Sequence, residues 1–512
     1  MTLQATPEQL HEAMTGLETT DHWDVLVSYS EDQLNQILKR TWGGLHKVAK
    51  PTFNVSNRLG QRTFTDVYDL VLEDPMIQFK QIDASPWATL TLSVSGTQRP
   101  KDSNDPGDVL FIPKGLYKFQ VNVPLSSVSG KGTDHPVAAD GKTIHFDDRT
   151  EASYHVTFHF KNEATVWQVV RNDSQEAVNY VEQALNGSVD ALKRYFQALT
   201  NLDCITLSLA EISNKRAAKT QPQHPSQSKQ NEHISSFQDL LCPVSFSLAS
   251  QPGVLNVFIA TKGGGRGEGS KTRQFGIKPG VHYTPVPTGY GASIVISRHI
   301  IVKKFLIPAI TRASKDLRRV AVTERPTNKS GVTLQVVYPP QYLFEWVMNK
   351  VKDPLGNDTI ALAKPDTLET DAKPLLLEIA DNPKTLVPEY GWSWSGTGSI
   401  GYDVWFIITR LPRTSTFDLS IKTKEPRSFL SIQNDRIAAT MTFDAEGTEK
   451  RTGKDGDDTL KVGLLFPSFE LRLDELDYFR TTNVFFPGRH MIDSKRAMFP
   501  GDLVILGDIT KT

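Results

Sequence analysis

Cysteine is almost missing from this chain: Cys204 and Cys242 are the only two in 512 residues. Two thiols cannot build a disulfide framework, which suits a reducing compartment, and both read as free thiols in the interior. Long hydrophobic runs are missing too. No stretch reaches the ~18 consecutive apolar residues that a membrane-spanning helix needs. Neither sign of charge dominates: 57 Lys and Arg face 58 Asp and Glu, a net charge of −1. No global field therefore draws the chain to nucleic acid or to an anionic membrane. The opening MTLQATPEQLHEAMTGLETTDHW holds four acidic residues and no apolar run. It is neither a secretory signal nor an Arg-rich transit peptide. The expected location is cytoplasmic, with non-classical export the alternative, and the sequons at Asn54, Asn172, Asn186, Asn328 and Asn357 are then chance matches.

Catalytic motifs are the next absence. Gly-x-Ser-x-Gly, His-Glu-x-x-His and Cys-x-x-Cys do not occur. KGGGRGEGSKTRQFGIKPG (262–280) resembles a phosphate loop only in composition. Ser270 separates Gly269 from Lys271 where the motif needs Gly-Lys contiguous, Gly-x-Gly-x-x-Gly is absent from the stretch, and no βαβ unit surrounds it. A solvated basic loop is the simpler reading, with Lys262, Arg266, Lys271 and Arg273 as weak candidates for anionic head groups. His155 and His159 share one strand face in SYHVTFHF, but four residues at ~3.3 Å each hold them about 13 Å apart, too far for one metal. KDGDDT (454–459) lacks the ligand ladder of a calcium loop and reads as a charged turn. The expectation is a non-enzyme with no metal and no cofactor.

What is present is a β-rich chain with a few well-marked helices. A short helix is expected over Pro7–Leu17. WDVLVSYSEDQLNQILKRTW (23–42) begins as a strand. Ser30 and Gln33 then form a capping box that opens an amphipathic helix whose apolar face is Leu34, Ile37, Leu38 and Trp42. TFNVSNRL, TFTDVYDLVL, MIQFKQI, WATLTLSVSG, GLYKFQVNVPL, TIHF, SYHVTFHF and TVWQVV are strands of a large antiparallel sheet. A long helix follows from Asp173 or Ser174 to about Leu199, with Val178, Val181, Leu185, Val189, Leu192 and Phe196 at three- and four-residue steps. Residues 213–235 are almost without apolar side chains and read as a linker. PVSFSLAS and VLNVFIAT follow as a strand pair.

YGASIVISRHIIVKKFLIPAI (290–310) then echoes the opening. Val27 and Tyr29 match Ile294 and Ile296, Ser30 matches Ser297 at the cap, and Leu34 and Leu38 match Ile301 and Phe305; Val302 extends the face. Pro308 is expected to end or kink this second helix. The rest is β-rich, with one candidate helix at Gln341–Val351. Trp392 and Trp394 in GWSWSGTGSIGYDVWF read as core packing, with sugar stacking or membrane anchoring as the alternatives.

WDVLVSYSEDQLNQIL, ISRHIIVKKFLIPAI and FFPGRHMID (485–493) together resemble the forty-seven-kilodalton and OrfX-type accessory proteins of clostridial neurotoxin gene clusters. That resemblance implies a tubular lipid-binding (TULIP) fold. The expected class is α+β, with two TULIP-like modules, each a strongly curved antiparallel sheet wrapped around a long helix. The division is 1–212, a segment 213–288 holding linker, strand pair and basic loop, and 289–512. The implied function is non-enzymatic binding of a lipid or other hydrophobic small molecule in an apolar groove between sheet and helix. Its candidate lining is Leu34, Ile37, Leu38, Trp42, Val178, Val181, Leu185, Leu192, Ile301, Val302 and Phe305. The alternative is a scaffold or toxin-complex accessory protein with solid cores, acting through protein partners. Nucleic acid is not an expected partner.

Overall fold

The structure is a computed structural model. It describes residues 4–42, 44–82, 85–130, 138–139, 142–147, 149–172, 179–215, 240–313, 321–325, 330–337, 344–348, 351–352, 358–359, 368–372, 375–406, 409–422, 425–433, 436–442, 460–464, 470–472, 484–485 and 490–511. In chain order the first half holds α1 (Pro7–Met14), β1 (Val25–Ser30), α2 (Glu31–Trp42), β2 (Thr52–Leu59), β3 (Arg62–Ile82), β4 (Ser85–Pro100), β5 (Leu110–Ser129), β6 (Ser153–Phe158), β7 (Val166–Arg171), α3 (Tyr180–Gln197), β8 (Pro243–Gln251) and β9 (Val254–Thr261). The second half holds β10 (Ala292–Ile296), a π-helix at His299–Leu306, α4 (Ile307–Ala313), β11 (Ala321–Arg325), β12 (Val332–Val337), β13 (Leu375–Asp381), β14 (Pro388–Phe406), β15 (Thr409–Lys422), β16 (His490–Met498) and β17 (Leu503–Lys511). The class is α+β, with every described strand pair antiparallel. No sheet closes into a barrel among the described residues.

The central sheet runs β16-β17-β10-β1-β9-β8 and ends on Ile144–His145. β1 and β10, the two halves of the sequence echo, lie side by side, with Val27 directly opposite Ile294. Because these two residues hold equivalent places in the echo, their pairing puts a local two-fold axis through the sheet. Hydrogen bonds obey it. The amide of Ser30 donates to Gly291 O (2.8 Å) and that of Ser297 to Asp24 O (2.9 Å). Likewise the amide of Asp24 donates to Ile259 O and that of Gly291 to Gly507 O. Each helix is capped alike, Ser30 Oγ accepting from Gln33 N (3.3 Å) and Ser297 Oγ from Ile300 N (3.4 Å). The hairpins β8–β9 and β16–β17 flank β1 and β10 in the same way.

Two local expectations need correction. The capping box is only half made: the Gln33 side chain does not return to Ser30 N, which is already bonded to Gly291. Its amide instead donates to Asp508 Oδ1 (2.9 Å) and accepts from Ile509 N (2.6 Å), tying α2 to β17. Pro308 does not end its helix. The backbone before it is wound as a π-helix, with Ile307 N donating five residues back to Val302 O. Pro308 is the second residue of α4, directly after this π-helix, so the helix changes its winding at the proline instead of stopping.

The nine-stranded sheet runs β2-β3-β4-β5-β6 and on to Ala210–Ser213 and Val484–Phe485, with β7 also on β5. TFTDVYDLVL and MIQFKQI are one strand of 21 residues. A bulge between Glu73 and Met76 bends it where Pro75 cannot donate to the ladder. A second bulge at Gly96 (φ 137°) bends β4; a Cβ there would lie 2.2 Å from Asp69 O. β2 covers only the first part of β3, up to Asp69. Further along, α2 covers the open edge with polar side chains: Trp42 Nε1 donates to Leu72 O (2.7 Å), Asn35 pairs with the peptide of Ile77, and Glu31 accepts from Phe79 N (2.7 Å). The helix thus satisfies backbone groups that would otherwise invite another strand.

The third sheet runs β11-β12-β13-β14, with β15 on β14. The helix expected at Gln341–Val351 is a strand where it is described: Phe344–Met348 pairs with Leu460–Leu464. Phe344, Trp346 and Val347 favour extended backbone, and a paired strand supplies partners that an isolated short helix lacks. Among the described residues no helix is long and apolar enough to cross a membrane.

Residues 269–278 keep exposed side chains at Lys271, Thr272, Gln274 and Lys278, but the backbone is anchored. They run along the N-terminal segment, with Ser270 N on Asp21 O, Gly276 N on Thr19 O and Lys278 N on Ala13 O. Gly269 lies so close to the Trp23 ring that a Cβ would overlap it, 2.2 Å from Cδ1. Phe275, α1 (Leu10, Met14) and Trp23 cover the back of the central sheet over Leu26, Phe258 and Val295 in a second apolar cluster.

Candidate functional site

α3 starts at Tyr180, capped by Asn179, and the expected start at Asp173 or Ser174 lies outside the described residues. Asn179 Oδ1 accepts from Glu182 N (2.9 Å) and from Tyr117 OH (2.7 Å), so a strand of the sheet fixes where the helix begins. Tyr68 OH from β3 donates to Ala184 O (3.0 Å), and burial together with nearby Asp66 pushes that phenol up to about 12. The far end is held by tilted ring contacts, Phe196 lying 4.9 Å from Trp167 and 5.0 Å from Phe160 between centroids. α3 therefore lies along the face of the nine-stranded sheet that carries Tyr68 and Tyr117.

The buried floor beneath α3 is Leu185, Leu192 and Phe196 against Tyr68, Tyr117, Phe119 and Val121. The seam at its side is different. Val181 and Tyr195 on one flank of α3, Val189 about 80° round the helix from Val181, and Phe53 of β2 pack against the same apolar cluster yet are only half-buried. Phe53 stacks on Tyr68 at 5.4 Å and lies 6.4 Å from Tyr195. Cys204, the nearest thiol in the chain, is buried and pushed up to about 11 by that burial.

The candidate lining drawn from the sequence falls into one continuous apolar cluster. Leu34, Leu38 and Trp42 are buried on α2, with Ile37 half-buried. Leu185 and Leu192 are buried on α3, with Val181 half-buried. Ile301, Val302 and Phe305 are buried on the π-helix. Val178 lies outside the described residues. Phe53, Val55 and Tyr68 were not among the candidates, although period-two alternation in TFNVSNRL and TFTDVYDL put them on one face.

Other candidates resolve simply. His155 is half-buried, and that desolvation holds its imidazole below the usual range; it faces Ser208 Oγ at 3.4 Å. No group of three or more metal-ligating side chains occurs among the described residues. Gly396, Gly398 and Gly401 do have dinucleotide-loop spacing, but all lie inside β14, with no turn or helix to receive a pyrophosphate. Trp392 is buried in the core, while the side chain of Trp394 lies outside the described residues.

No protein-family model matches the chain, and no curated protein matches it. Among solved structures it is similar to P47 from Clostridium botulinum A2, at 10% identity and a TM-score of 0.46, over 96% of this chain and 98% of that one. It is also similar to a lipopolysaccharide binding protein, at 11% identity and a TM-score of 0.24, over 96% of this chain and 99% of that one.

Proposed function

We propose that this protein binds a hydrophobic ligand, a lipid, along the seam between α3 and the nine-stranded sheet, and performs no chemistry on it. The observation that carries this reading is the half-buried pair Phe53 and Tyr195, their rings 6.4 Å apart beside the buried Tyr68, with Val181 half-buried on the same flank of α3. Apolar area left in water favours an occupant at ~25 cal/mol per Å² covered. In this reading each half of the chain is a tubular module. The first opens with β1 and α2 and closes with β8–β9; the second opens with β10 and the π-helix and closes with β16–β17. The strand pair of the middle segment then belongs to the first module.

A second reading, a scaffold with solid cores that acts through protein contacts, is favoured by the close burial of Leu34, Leu38, Leu185, Leu192, Ile301 and Val302. Uptake of a fluorescent fatty acyl probe separates the two. Val181→Trp would fill the seam and abolish uptake while leaving the thermal midpoint near wild type. Absence of uptake by the wild-type protein would favour the scaffold.

A further inference from the structure

The β2–β3 hairpin projects beyond the helix-covered part of the sheet. Every residue from Ser56 to Phe64 is exposed. Leu59 is 76% and Phe64 52% accessible, unusual for side chains of this size. Pairing of Leu59 with Arg62 and of Asn57 with Phe64 puts all four on the face that carries the Phe53–Tyr68 stack. On that face Val55 pairs with Asp66 between the stack and the tip, so apolar side chains reach the tip alternating with polar ones. Arg58 stands on the opposite face, held over the turn by its Nε–H to Gly60 O (3.2 Å). From Thr52 to Thr65 there is no acidic residue. At the base, Lys101 donates its amide to Thr65 O and Arg99 pairs with Val67, beside Asp66. The neighbouring β4–β5 tip carries Asp102, Asp105 and Asp108; Asp105 accepts from Gly107 N and Asp108 from Ser103 Oγ.

We infer that this hairpin is a docking element for an anionic lipid surface. Leu59 and Phe64 enter the acyl boundary, and Arg58 and Arg62, one on each face, stay at the level of the phosphates. Two cations without an intervening carboxylate complement such a surface, and apolar side chains flanked by arginines are suited to a boundary that is apolar on one side and charged on the other. A second copy of the chain would explain an exposed strand edge, but would place like-charged arginines together. The inference rests on the lipid-binding reading above and gives it a place where ligand enters.

Flotation of the full chain with phosphatidylcholine vesicles, with and without phosphatidylserine, tests it. Wild type floats with the phosphatidylserine vesicles and is released by salt. Leu59→Ser/Phe64→Ser and Arg58→Gln/Arg62→Gln each weaken flotation at least tenfold, with unchanged thermal midpoint. Flotation equal to wild type in both variants would overturn the inference, as would a wild type that floats with neither vesicle. A concentration-dependent dimer abolished by the same variants, without flotation, would assign the hairpin to a second copy instead. Uptake of the acyl probe from solution is read in parallel. If uptake is absent while hairpin-dependent flotation persists, the groove reading fails and the docking surface stands; the reverse result separates them the other way.

Discussion

Asn35 and Ile77 form a closed pair: Asn35 Nδ2 donates to Ile77 O (2.9 Å), and Ile77 N donates to Asn35 Oδ1 (2.6 Å). One side chain on α2 thus takes the place of a neighbouring strand at a point on β3 that β2 does not reach. Asn35→Ala leaves both peptide groups unpaired in a partly buried place, at about 1–3 kcal/mol. The urea midpoint should fall accordingly. A shift under a few tenths of a kcal/mol would mean that water replaces the pair.

Gly291 sits on the junction of the two halves. A Cβ there would lie 1.7 Å from the Gln33 carboxamide, which is itself fixed by Asp508 and Ile509. Gly291→Ala is expected to destabilise the fold by roughly 1–3 kcal/mol through overpacking. The same change in a Gln33→Ala background should cost much less, and a double-mutant cycle measures the coupling. Additive effects would contradict this account of the junction.

Asp502 is fully buried, and that desolvation raises its pKa against the hydrogen bonds from Thr19 N, Thr19 Oγ1 and Arg298 N that lower it. The native state then holds the proton more tightly than the unfolded chain. The contribution of this group to stability therefore falls as pH rises from the ordinary carboxylate value of about 4 to the raised native value, and is level above that. Asp381, beside His11 and Phe499 N, is raised by burial in the same sense. Asp502→Asn should remove part of this decline. Urea midpoints of variant and wild type across acid pH should converge or cross, whereas parallel curves would show that the carboxyl does not titrate on folding.

Gly187 lies mid-helix on the exposed side of α3, and a Cβ there meets nothing within 4 Å. Gly187→Ala should stabilise the protein by about 0.5–1 kcal/mol, read as a higher thermal midpoint.

Much of the fold was legible because it rests on local patterns. The strand–cap–helix echo around Ser30 and Ser297 was readable, since a cap needs only its own neighbours. Its consequence, that the two strands pair through Val27 and Ile294, was not. Pairing across more than two hundred residues leaves no local mark. The Gln33 side chain followed the same rule: the motif pointed to a capping box, but Gly291 O had already taken the Ser30 amide, and Asp508 and Ile509 competed for the carboxamide. Residues 269–278 looked solvated because glycine and charge dominate them; their close approach to Trp23 depends on glycine for a reason that composition hides. Of the candidate groove, the helical side was visible at Val181, Leu185 and Leu192. The strand side was not, because the contact of Phe53 and Tyr68 with α3, through Tyr195 and Ala184 O, joins residues more than a hundred positions apart.

The central claim is that the seam beside α3 holds lipid. Denaturing extraction of protein purified in its native state, followed by mass spectrometry of the extract, tests it most directly. The account predicts a lipid species recovered in proportion to protein from wild type and lost from Val181→Trp. Repeated extracts free of lipid, from a protein that also takes up no acyl probe, would contradict it.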